Sequence, residues 1–139
     1  MLPYKTTLLV WSSVFFLQFV AFFAFPTKAF ELWCPGATAT SESLHWVQLM
    51  SNFWIGFSAL FCAVAHATDP AHRRMVLCSI LAINPVQLFN MLWYVVPVAP
   101  MFKNSLGPVV AFHVVQVITL LLCFPDARNA VVKDNKKSK

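Results

Sequence analysis

Eight side chains capable of strong hydrogen bonds interrupt otherwise apolar stretches of this sequence: Gln18, Gln48, Asn52, Asn84, Gln87, Asn90, His113 and Gln116. An amide both donates and accepts, and a neutral imidazole has one nitrogen of each kind. Where water is absent, each such group needs a partner. Two uses follow. Either these groups fasten helices together by hydrogen bonds worth about 0.6–2 kcal/mol each, or they line a pocket for a lipid headgroup, a sterol hydroxyl or a quinone. No Asp, Glu, Lys or Arg stands among them. A proton or cation path, which ordinarily relies on an intramembrane carboxylate, therefore has no carrier.

Spacing assigns these groups to faces. His45, Gln48, Asn52, Gly56, Ala59, Ala63 and His66 recur at intervals of three and four, which puts them on one side of a helix. Ala59, Ala63 and Ala67 continue as a small-xxx-small run, a pattern that permits close helix approach. Asn84, Gln87, Asn90 and Tyr94 share a second face, and His113, Gln116 and Leu120 a third. Gln18, Asn52, Gln87, Asn90, His113 and Gln116 are expected at similar depth, so a single bundle is expected to gather them.

Cofactor and metal chemistry find little support. His45 and His66 are 21 residues apart on one helix, about 31 Å, which cannot supply a bis-histidine haem site. Cys62 and His66 face the same way and form the weak candidate for a soft metal, but no CxxC or HxxxH pair exists. No metal and no cofactor is expected beyond bound lipids. No nucleophile elbow, phosphate loop, HExxH or paired carboxylate occurs, so the chain is not expected to be an enzyme.

The elements that position these residues follow from composition. Of 139 residues, 59% are hydrophobic and only 11% charged, and the mean hydropathy is +0.68. Soluble domains carry about 25% charged residues, so an integral membrane protein is indicated. A crossing helix needs about 20 apolar residues. Stretches 6–25, 44–68, 75–98 and 108–124 meet or approach that requirement, followed by a basic soluble tail over 125–139. The first run is too long for a signal-peptide core, which favours an uncleaved anchor. Lys28–Cys34 reads as a short amphipathic turn, Pro35–Gly36 as a break, Pro85 as a kink and Pro108 as a first-turn proline.

The expected fold is all-α, a single membrane domain over 1–139: an integral membrane four-helix bundle with four transmembrane helices. Both termini are expected on the positive (cytosolic, matrix or stromal) side. Four crossings put Lys5, Arg73, Arg74, Arg128, Lys133, Lys136, Lys137 and Lys139 together and leave Lys28 and Lys103 opposite, as the positive-inside rule requires. That rule also accounts for the net charge of +5 without nucleic acid as a partner.

Lys136 and Lys137, fourth and third from the end, resemble the dilysine retrieval signal of endoplasmic-reticulum membrane proteins. The layout is similar to that of the small endoplasmic-reticulum scaffold of sterol synthesis, in span order alone, and no functional residue carries across. The leading expectation is a small non-catalytic subunit packed within a larger respiratory or photosynthetic membrane complex. Its partners would be membrane lipids and other transmembrane subunits. The alternatives are an endoplasmic-reticulum scaffold or assembly factor, and a four-helix binder of a sterol, lipid or quinone. Localisation is expected in an organelle membrane, with the endoplasmic reticulum and the mitochondrial inner or thylakoid membrane both open.

Overall fold

Apolar stretches of this length fold as helices because only hydrogen bonding within the segment satisfies their backbone in the absence of water. In the computed structural model, residues 2–90, 92–93 and 106–137 are described, with side chains as far as Ala127. All regular structure among them is helical. Among the described residues, three helices are long and apolar enough to cross a membrane: Tyr4–Ala24, Ser41–Ala65 and Leu106–Ala127. The stretch expected as a third crossing, 75–98, is described only through Asn90 and at 92–93. Tyr94 lies outside the described residues.

Prolines and short polar residues set the boundaries. α1 (Tyr4–Ala24) stops where Pro26 drives Phe25 out of the helical region, to φ −131° and ψ 55°. α2 (Pro26–Trp33) begins with that proline in its first turn, so the amphipathic segment expected over 28–34 is helical. Gly36 then turns the chain at φ 83°, a conformation that disfavours any side chain. α3 (Ser41–Ala65) opens on a capping box. Thr40 Oγ1 accepts from the Ser43 amide at 3.1 Å, and Ser43 Oγ accepts from the Thr40 amide at 2.8 Å. α4 (Pro70–Asn90) is capped by Asp69, whose carboxylate accepts from the amides of Ala71 and His72 at 3.2 and 3.1 Å. Pro85 removes the bond to the Leu81 carbonyl without ending α4.

α5 (Leu106–Lys137) differs from the sequence expectation at its far end. It passes through Pro125, where a solvated tail was expected to begin, and stays helical to Lys137. Tertiary contacts hold the turn after the proline. Ala127 is fully buried, and Asp126 Oδ2 accepts from the Tyr4 amide at 2.9 Å, capping the start of α1 from the other end of the chain. Asp126→Ala is expected to lower stability by about 1–2 kcal/mol, because α1 loses both a cap and a favourable charge at its N-terminus. Asp126→Asn should retain part of that. Unfolding midpoints of the purified chain in detergent measure the difference.

The helices pack as two seams joined at one end. α1 lies along α3, α4 lies along α5, and α1 also touches α5; α2 rests on α1 and α3. The consecutive helices α3 and α4 make few close approaches. The joint is the end where α1 starts, built from Tyr4, Leu8, Val64, Leu77, Leu120 and Cys123. There Tyr4 donates its hydroxyl to the Val64 carbonyl at 3.2 Å. The Arg73 guanidinium sits 5.2 Å from the Tyr4 ring centroid, held by a 2.6 Å bond from Nε to the Ala67 carbonyl. An aromatic cluster continues the core up the α1–α3 seam, with Phe15 at its centre.

Candidate functional site

The expected polar residues divide between two environments. Asn84 and Gln116 are buried, and Gln18 and His113 are partly buried; Gln48, Asn52, Gln87 and Asn90 are exposed. The structure brings one pair into direct contact. Asn84 Nδ2 donates to the Ile80 carbonyl at 2.9 Å, which turns its oxygen outward from α4. His113 Nδ1 donates to that oxygen at 2.6 Å, joining α4 to α5. The bond assigns the proton to Nδ1, and in the neutral ring it leaves Nε2 as an oriented acceptor. The Phe112 ring meets the imidazole edge-on at 5.8 Å.

This pair is a clamp between helices with one acceptor to spare. An amide cannot drive an imidazole as a carboxylate can. Asn84→Leu leaves the His113 donor without a partner and is expected to cost about 1–3 kcal/mol. His113→Leu in the same background should restore part of the loss, because both partners are then apolar. A double-substitution cycle on the unfolding midpoint tests this.

The helix-packing stripe has an unexpected address. Gly56, Ala59 and Ala63 are exposed, Ala67 just beyond α3 is partly buried, and among the described residues no helix covers the face they share with Gln48 and Asn52. A Cβ built on Gly56 meets nothing within 4 Å. Cys62 and His66 are both exposed, and the His66 ring is engaged with the Cys62 carbonyl at 2.8 Å. No group of three metal-ligating side chains occurs among the described residues. Lys136 and Lys137 close α5, and their side chains lie outside the described residues.

Sequence reasoning passed over the hydroxyl and indole bonds that close the interior. Ser12 Oγ donates to the Ser58 carbonyl at 2.8 Å, and Trp11 Nε1 donates to Thr119 Oγ1 at 2.8 Å. Serines spaced along an apolar run were the available signal, since small hydroxyl residues let helices approach. An open groove of about 360 Å³ runs between α1 and α5, walled by Val10, Val14 and Val115 beside that Trp11–Thr119 bond.

No family model, curated protein or solved structure matches this chain. A functional reading therefore rests on the chain's own residues.

Proposed function

We propose that this chain is a small non-catalytic subunit of a larger membrane assembly, held there by lateral contacts of its helices. The supporting observation is the outward face of α3. His45, Gln48, Asn52, Gly56, Ala59, Ala63 and His66 all lie exposed along it, whereas Ser51, Ser58, Phe61 and Val64 occupy the buried side. Asn52 stands about 16 Å from the start of the helix, near its middle, where lipid offers an amide no hydrogen bond. The small residues following it allow a neighbouring backbone close enough to provide one. A surface meant for acyl chains gains nothing from this pattern; a surface meant for another helix does. Exposed Gln87 and Asn90 repeat the theme on α4.

The proposal includes four crossings, with α4 and the residues that follow it as the third, in an organelle membrane. Both termini then share the side that collects eight of the ten basic residues. Extraction of the tagged chain from its native membrane in mild detergent, followed by a native gel and mass spectrometry, tests this reading. Migration in a defined large complex with stoichiometric partner chains is expected. A small particle containing this chain and lipid alone overturns it.

A further inference from the structure

At the end of the bundle where α1 starts, one cation is held in place without being neutralised. The partly buried Arg73 guanidinium lies 5.2 Å from the Tyr4 ring centroid, and its Nε donates to the Ala67 carbonyl at 2.6 Å. Tyr4 is fixed in turn by its hydroxyl bond to the Val64 carbonyl. One face and one edge of the guanidinium are therefore engaged. Its two terminal nitrogens have no hydrogen-bond partner among the described residues, yet neither is sealed from the surface.

No carboxylate among the described residues pairs with Arg73. The two at this end are committed to backbone amides, Asp69 to those of Ala71 and His72 and Asp126 to that of Tyr4. Glu31 and Glu42 stand at the opposite end, on α2 and in the first turn of α3. Lys5 and Arg74, next in the chain to Tyr4 and Arg73, add further positive charge. A partly desolvated charge without a counter-ion is costly, so an anion from outside is favoured here.

The level of the site selects the anion. α1 has 21 residues, about 31 Å, close to the thickness of a hydrocarbon core. Tyr4 is its first residue, Ala67 lies just past α3, and Arg73 is in the first turn of α4. The guanidinium thus stands where lipid headgroups begin, and the anion abundant there is a phosphate ester. Its free terminal nitrogens form a planar fork that matches two phosphate oxygens. A choline headgroup would bring a second cation against Lys5 and Arg74, whereas a net-negative headgroup does not.

We propose that Arg73, held by Tyr4 and Ala67, binds the phosphate of an anionic membrane lipid at the surface where α1 starts. The inference needs α1 and α3 to cross a membrane and is independent of any partner subunit.

Arg73, Arg74 and Arg128 are the arginines of the sequence. A full chain carrying Arg74→Lys and Arg128→Lys, with its arginine labelled with carbon-13, therefore reports on Arg73 alone. The test places it in bilayers of phosphatidylcholine and phosphatidylglycerol in phosphate-free buffer and reads dephasing of Cζ by phosphorus-31 in solid-state NMR. Dephasing that corresponds to about 4 Å is expected, as paired N–H···O bonds require. Pure phosphatidylcholine should give clearly less; equal dephasing there, or none in either bilayer, overturns the proposal. In galactolipid bilayers with inorganic phosphate in the buffer, no dephasing is expected. A full effect there would make free phosphate the ligand and overturn the lipid assignment. The converse chain, with Arg73→Lys and Arg128→Lys, reports on Arg74, whose guanidinium is not anchored among the described residues. Its dephasing should be much weaker, and equal dephasing at the two positions would show general surface attraction in place of a site. Should Arg73→Lys not fold, the three bilayers decide alone.

Discussion

Phe15→Ala is expected to be the most damaging single substitution in the described core, costing about 3 kcal/mol of fold stability. Phe15 is 3% exposed. Its ring lies 5.1 Å from Phe61, 5.6 Å from Phe57, 5.7 Å from Trp54, 6.0 Å from Phe112 and 6.1 Å from Trp11. These rings come from α1, α3 and α5, so the side chain joins three helices at one point. Between membrane helices the transfer from water contributes nothing, because lipid is as apolar as the core. What remains is the lost packing and the cavity left behind, hence a cost at the low end of the usual Phe→Ala range. Phe15→Leu keeps most of the volume and is expected to cost about 1 kcal/mol. The neighbouring Phe16, 47% exposed, is the control. Unfolding of the purified chain in mixed micelles should separate Phe15→Ala clearly from Phe16→Ala. Equal shifts would show that the aromatic cluster does not carry the fold.

That contrast between adjacent phenylalanines shows where the sequence was legible and where it was not. Helix existence followed from apolar length, and the break at Pro35–Gly36 and the first-turn Pro108 followed from local backbone chemistry. Which side of each helix faces inward did not follow. In water the apolar face of a helix is the inner one; in lipid both faces are apolar, so Phe15 and Phe16 carry no compositional mark of their different places. Polarity was a poor substitute for that mark. Asn84 and His113 do meet inside, but Gln48, Asn52, Gln87 and Asn90, which looked equally suited to an interior pocket, are exposed. The end of α5 was hidden for a related reason. Pro125 reads locally as a stop, and only the long-range bond from the Tyr4 amide to Asp126 and the burial of Ala127 show why the helix continues.

Gly56→Leu is expected to separate assembly from folding. Leucine at this position replaces a glycine inside α3, which favours the helix by about 0.8 kcal/mol, and its Cβ enters open space in the isolated chain. The unfolding midpoint should therefore hold or rise slightly. Against a partner helix the same side chain pushes two backbones apart along the stripe that contains Asn52, Ala59 and Ala63, and close packing is the main attraction available between helices in lipid. The native-gel band is accordingly expected to move from the large complex to the free chain. Asn52→Leu removes one hydrogen bond without a steric clash, and about 0.6–2 kcal/mol lost corresponds to roughly 3- to 30-fold weaker retention. Leu121→Phe, on an outward position of α5 that is 53% exposed and away from the stripe, should leave the complex intact. The order of effects is itself diagnostic: Gly56→Leu most, Asn52→Leu less, Leu121→Phe none. A large complex that survives Gly56→Leu would mean that the outer face of α3 meets lipid. Its amide and small residues would then need an explanation other than a neighbouring helix.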